Sequence, residues 1–213
     1  MKIIDLTHII HTAMPVYPGT EPPVISDTNT IDKDGFAEKL LSFYSHTGTH
    51  IDAPAHILKG RFSLDKFSAG KFIGKGIVID VTNCPEGVIE KEHLEKHSKE
   101  IETSDFILFI TDWDKRWGSE SYFSDFPTLS EDSAKWLCSY KIKGIGFDCI
   151  SADPVEATDL PNHRIILNND LIIIENLCNL DKLTGCSFIF SCLPLKIENS
   201  DGSPVRAVGI LDV

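Results

Sequence analysis

The chain has 213 residues, of which 42% are hydrophobic and 24% charged. That balance belongs to an ordinary globule and excludes a disordered, collagen-like or coiled-coil chain. Lys and Arg total 20 against 32 Asp and Glu, a net charge of −12; such a surface repels phosphate backbones and anionic lipid, so neither nucleic acid nor a membrane is an expected partner. Residues 3–6 read as a first strand. Residues 7–34, with Pro15, Pro18, Gly19, Pro22 and Pro23, read as a long irregular loop, and loops of that length are usually functional or disordered. Residues 40–44 read as a strand leading into a His-rich turn. Further short strands are expected at 76–81 (GIVIDV), 106–110, 144–147, 171–174, 187–193 and 205–211. Several are nearly continuous apolar runs, as in strands buried on both faces.

Helical signals are fewer. Residues 88–101 read as a charged helix anchored by Leu94 and Ile101, and residues 129–140 as a helix with Ser130 as its N-cap. A short helical turn is expected at 163–168, stopped by Asn168-Asn169-Asp170. Between them, residues 112–127 carry Trp113, Trp117, Tyr122, Phe123 and Phe126. So aromatic a stretch either covers the core or lines a pocket. The expected architecture is one β-rich α/β domain over residues 1–213, without a linker that would split it.

The six cysteines form no C-x-x-C pair, which removes zinc-ribbon and thioredoxin-type motifs. The N-terminal residues lack the long apolar run of a secretory leader. The expectation is therefore a cytoplasmic protein with reduced, mostly buried thiols. A nucleophile elbow and a phosphate loop are both missing, and Gly144-Ile145-Gly146 has no third glycine to complete a dinucleotide fingerprint.

Chemistry concentrates in the histidines. Three of the eight fall within the eleven residues His46-Thr47-Gly48-Thr49-His50-Ile51-Asp52-Ala53-Pro54-Ala55-His56. His50 and Asp52, two apart, face the same way on an extended segment. Gly48 lets the backbone turn His46 toward the same point. His46, His50 and Asp52 are then the nitrogen and oxygen ligands of an open metal site. His56, beyond Pro54, is left as a proton carrier beside the metal, a task suited to imidazole. The cluster calls for further ligands from the second half of the chain. His163, in a loop entering a helix, is one candidate; Glu175 is another, a carboxylate closing an apolar strand that stands either at the sheet rim in water or buried against a cation. His93 and His97 are four apart, but Leu94 replaces the Glu of an H-E-x-x-H motif, so they read as a solvated helix face. His8 and His11 are read as pocket or structural residues.

The block from His46 to His56 resembles the H-x-G-T-H-x-D-x-P-x-H signature of the metal-dependent cyclase family, which includes bacterial kynurenine formamidases. Ile4-Asp5-Leu6-Thr7, Met14-Pro15-Val16-Tyr17-Pro18-Gly19, Gly146-Phe147-Asp148 with Ser151 and Asp153-Pro154, Glu175-Asn176-Leu177, and Ser203-Pro204-Val205-Arg206-Ala207 resemble further segments of that family. The resemblance implies a swivelling β/β/α fold and a homodimer or higher homo-oligomer. It implies one or two divalent metals per chain, zinc by preference and manganese as the alternative. His46 and His50 would bind the first metal and His163 the second, with Asp52 and Glu175 bridging and His56 moving protons. The implied activity is hydrolysis of a small amide with metal-activated water, either an aryl formamide such as N-formylkynurenine in tryptophan catabolism or a related cyclic amide. Tyr17 would pack on the substrate, where the formamidases usually carry Trp. The alternative is a non-catalytic small-molecule binder or scaffold on the same fold.

Overall fold

The computed structural model of the protein describes residues 1–211. Its centre is a nine-stranded sheet in the order Lys2–Asp5, Val208–Leu211, Phe188–Ser191, Ile73–Asp80, Phe106–Ile110, Gly144–Phe147, Ile172–Glu175, His50–Asp52 and Gly202–Pro204. The four strands from Ile73–Asp80 to Ile172–Glu175 run parallel, and every other pairing is antiparallel. The expected strand at 205–211 divides in two. Gly202–Pro204 closes one edge, whereas Val208–Leu211 lies one strand in from the other. Strands stand about 4.8 Å apart, so the short link 205–207 cannot cross a flat sheet of this width. The sheet must curl until its edges approach, and the chain confirms this where Cys178 N–H donates to the Leu6 carbonyl at 3.1 Å.

Alternation along the Phe106–Ile110 strand feeds two cores. Ile107 and Phe109 enter a cluster with Leu94, Ile101, Ala134, Leu137 and Ile166, all from helices. Phe106, Leu108 and Ile110 enter a second cluster inside the curl, with Leu180, Leu183, Phe188 and Phe190. Helices, sheet and folded-over sheet thus form the layers of a β-rich α/β fold, as the composition of the strands indicates. Trp113, Tyr122 and Phe126 belong to the helix-side core, so the aromatic stretch at 112–127 covers the core rather than lining a pocket.

The helix ending at Leu137 begins at Glu131 and is capped as expected, the Ser130 hydroxyl accepting from Ser133 N–H at 3.3 Å. Two further expectations need correction. Residues 88–101 are not one helix: Val88–Ile89 pairs with Thr128–Leu129, and Lys91–Glu95 and Ser98–Glu102 are separate helices. Each short helix has a single buried anchor, Leu94 or Ile101, so no apolar stripe joins them. The loop 7–34 contains a strand, Val24–Asn29, which pairs antiparallel with Glu38–Ser42 as a hairpin whose alternation is masked by polar residues. No described helix is long and apolar enough to cross a membrane. All six cysteines are free, three of them buried and Cys186 exposed.

Phe109 is fully buried and stacks on Phe147 with ring centroids 5.6 Å apart. Phe109→Ala is expected to cost about 3–5 kcal/mol, measured by urea unfolding; a loss within the ~0.5 kcal/mol typical of surface changes would contradict the two-core arrangement.

Candidate metal centre

The centre forms where the last parallel strand meets its antiparallel neighbour. Glu175 lies opposite His50, and Ile173 opposite Asp52. Ile51 and Ile174 enter the core inside the curl. By alternation His50, Asp52 and Glu175 share the other face, and all three are buried. Chain reversal at each end is built in. Gly48 has φ +64°, in the left-handed region where a side chain is strained. Asn176 turns the chain after Glu175 at φ 57°. Its amide ties the two turns together, donating to the Gly48 carbonyl at 2.9 Å and accepting from the Tyr122 hydroxyl at 2.6 Å.

Three imidazoles converge on the two carboxylates, and each has one ring nitrogen committed outward. His50 Nδ1–H donates to the Gly48 carbonyl at 2.8 Å, leaving Nε2 at 3.3 Å from Asp52 Oδ1 and 3.4 Å from Glu175 Oε2. His163 sits in the helix Pro161–Asn168. Its Nδ1 lies 2.7 Å from Asp153 Oδ2, and its Nε2 lies 3.5 Å from Asp52 Oδ2 and 3.3 Å from Glu175 Oε1. Asp153 also accepts from the backbone N–H groups of Asn162 and His163, at 2.9 and 3.0 Å, so it fixes the helix start and the imidazole together. His46 places Nδ1 2.6 Å from Asp52 Oδ1 and Nε2 3.1 Å from Asp201 Oδ2. Outward partners of this kind orient metal-binding histidines and set their tautomers.

Asp52 Oδ2 is buried without a hydrogen-bond partner, an arrangement that is costly unless a cation answers it. Candidate ligand atoms of His46, Asp52 and His56 lie within 4.8 Å of one another, and so do those of His50, Asp52 and Glu175. The two groups overlap at Asp52. Nitrogen and oxygen donors without a thiolate fit a divalent ion such as zinc or manganese.

Charge follows the same geometry. Burial works against a protonated His46, but Asp52 and Asp201 raise its pKa to about 9. Burial likewise opposes His50, and hydrogen bonding to Asp52 and Glu175 raises it to about 10. His163 is raised in the same way against burial, by Asp153, Asp52 and Glu175. Burial pushes both carboxyls up, yet the surrounding imidazoles hold Asp52 and Glu175 below their usual range. His56 differs. Burial is the main influence on it and lowers its pKa; its Nδ1 is 3.5 Å from Asp201 Oδ2, and its ring lies 3.9 Å from that of His46.

The centre opens into a cavity of about 380 Å³ walled by Tyr17, Tyr44, Ile150 and Leu160. The Tyr17 hydroxyl donates to the Val155 carbonyl at 3.2 Å. All six residues singled out in the sequence, His46, His50, Asp52, His56, His163 and Glu175, border this cavity together with Tyr17. His8 does not; it stacks on Trp117 at 3.9 Å. His11 is exposed. His93 accepts from Glu90 N–H and His97 pairs with Glu100, both at the surface of their helices. Sequence reasoning missed Asp201 and the role of Asp153. Asp153 carried a signal in its position after the Gly146-Phe147-Asp148 strand; Asp201 lies in a polar loop that carried none.

The Cyclase family model, described as "Putative cyclase", matches residues 4–154. An isatin hydrolase of Roseibium aggregatum is 29% identical over 99% of this chain and 92% of its own length. A kynurenine formamidase of Salinibacter ruber is 29% identical over 98% of this chain and 97% of its own. The crystal structure of an isatin hydrolase bound to the product analogue thioisatinate superposes with a TM-score of 0.89 at 28% identity, covering 100% of this chain and 93% of that one.

In metal-free protein the imidazoles that titrate above neutrality carry protons at pH 7, and a cation must displace them. Zinc uptake at pH 7 is therefore expected to release protons, and zinc affinity to go on rising with pH past the loss of the His46 proton at about 9 and through that of His50 at about 10. Calorimetric titration in two buffers of different protonation enthalpy measures the release; buffer-independent heats would contradict it.

Proposed function

The chain belongs to the Cyclase family, and from that membership and the geometry of the centre we propose that it is a metal-dependent hydrolase of small aromatic amides, either aryl formamides or cyclic amides of the isatin type. The observation that carries this reading is the pair of buried carboxylates enclosed by three outward-anchored imidazoles. His46, His50, Asp52, His163 and Glu175 would hold the metal, and Asp52 is the residue common to the two candidate ligand groups. A bound divalent ion supplies a Lewis acid for a carbonyl oxygen and lowers the pKa of water from 15.7 to about 7. Zinc suits the donor set, and manganese is the alternative.

The chain's own groups account for the remaining demands of amide hydrolysis. His56 borders the cavity and, held by burial below its ordinary pKa, is neutral at pH 7 and ready to accept a proton. Returned to the departing nitrogen, that proton spares the reaction an amine anion. Tyr17 and Tyr44 present aromatic walls to a planar substrate. A cavity of about 380 Å³ lies at the small end of ligand pockets, which favours a compact ring system. A cytoplasmic homodimer or higher homo-oligomer belongs to the same reading. Support for the oligomer is the hairpin Val24–Asn29 with Glu38–Ser42, on which Val24, Leu40 and Leu41 are all exposed.

The direct test is zinc-loaded protein assayed on N-formylkynurenine, formanilide and isatin. Hydrolysis of at least one substrate, abolished by chelation and restored by zinc, is expected. Metal binding without turnover of any of the three would favour a non-catalytic binder, and full activity after chelation would contradict the metal's role.

His56→Ala is expected to retain metal and to lose about 10²–10⁴-fold in rate on an amide, with a smaller loss on an activated ester whose leaving group needs little protonation. His50→Ala should lose metal as well as rate. Elemental analysis with paired rates separates them. Equal losses on amide and ester would remove the proton-carrying role, and metal loss in His56→Ala would make His56 a ligand.

A further inference from the structure

His46 is the one imidazole of the centre without a regular element beneath it. His50 stands on a strand and His163 on a helix, with side chains 4% and 5% exposed. His46 lies in a turn before the strand, and its side chain is 23% exposed. Something other than secondary structure must hold the ring, because a metal ligand that samples several rotamers binds weakly.

The neighbouring edge strand supplies the support. Gly202 lies opposite Asp52 in the register. A Cβ built on Gly202 would sit 2.6 Å from His46 Cε1, 2.8 Å from Nε2 and 3.0 Å from Nδ1. The imidazole therefore rests against the glycine backbone, in space that any side chain at this position would fill. Immediately before it, Asp201 directs Oδ2 to His46 Nε2 at 3.1 Å. The Asp201 backbone is itself fixed, since Ala53 N–H donates to its carbonyl at 2.8 Å. His50 has the Gly48 carbonyl as its outward partner and His163 has Asp153; Asp201 completes the set. One difference follows from the contacts. His50 and His163 turn Nε2 toward the carboxylates, whereas His46 turns Nδ1.

We propose that Asp201 and Gly202 form a seat for the His46 imidazole, in which Gly202 leaves the room and Asp201, as a positioning residue, fixes Nε2–H outward so that Nδ1 is the metal-binding atom. The seat rests on the metal-binding half of the proposed function and is independent of which bond the protein cleaves.

Zinc affinity, measured by competition with a chromophoric chelator on the full chain, tests the seat without reference to turnover. Asp201→Ala is expected to weaken zinc binding 10–100-fold, the usual effect of removing an outward partner. Asp201→Asn, which keeps an acceptor and loses the charge, should fall between Asp201→Ala and the parent. Gly202→Ala should weaken zinc binding in the parent chain and change little in a His46→Ala background, since coupling between two residues in contact disappears when one is removed. In ¹⁵N spectra of the zinc-loaded protein, His46 should show a bound Nδ1 and a protonated Nε2. Parent-like zinc affinity in Asp201→Ala would overturn the proposal, as would a protonated His46 Nδ1 or an equal cost of Gly202→Ala with and without His46. A lower unfolding temperature of metal-free Asp201→Ala at unchanged zinc affinity would likewise overturn it, by making Asp201 merely structural. If these results hold while no amide is hydrolysed, the hydrolase reading fails and the seat stands.

Discussion

Two carboxylates buried side by side are the constraint around which this protein is organised. Asp52 is 1% and Glu175 5% exposed, on paired strands whose alternate residues fill a core. Carboxylates in such surroundings neutralise by protonation unless positive charge stands against them. Their ion-pair partners among the described residues are imidazoles alone: His46, His50 and His163. Imidazole is the group that can exchange a proton for a metal ion near neutral pH. A lysine or arginine in the same place would answer the charge permanently and close the site to a cation.

The surrounding structure works to keep those imidazoles in place. The left-handed turn at Gly48 and the left-handed Asn176 bring His46 and the end of the Glu175 strand together, and the Asn176 amide bonds across them. Asp153 anchors both the first turn of a helix and the ring of His163. The curl of the sheet returns Gly202–Pro204 to the edge beside His50–Asp52, so that residues some 150 positions away in sequence complete the centre. Fold and site are in this sense one construction: a flat sheet of the same strands would leave His46 with nothing to lean on.

Much of this was legible in the sequence, for reasons that differ by segment. The apolar runs at 106–110 and 144–147 became strands with those bounds because burial on both faces leaves a pattern that needs no partner to be recognised. The block from His46 to His56 was legible because its chemistry is local: strand alternation, one glycine turn and one proline decide where its side chains go. The strand Val24–Asn29 was not, although its partner Glu38–Ser42 overlaps the strand expected at 40–44, since its residues are mostly exposed and its sequence lacks a clean alternation. The division of 88–101 was hidden because the pairing of Val88–Ile89 with Thr128–Leu129 is a long-range contact. Asp201 was invisible for the same reason. Its loop is polar and unremarkable until the curl of the sheet sets it against His46.

The central claim is that Asp52 is the shared carboxylate of a metal centre. Anomalous diffraction at the zinc absorption edge, from crystals of the full chain grown with zinc, tests it most directly. The predicted result is density within about 2.0–2.2 Å of an Asp52 oxygen, the normal zinc–carboxylate distance, with a second peak on the other Asp52 oxygen when both sites fill. Zinc found only at surface residues, with Asp52 still paired to protonated histidines, would contradict the account.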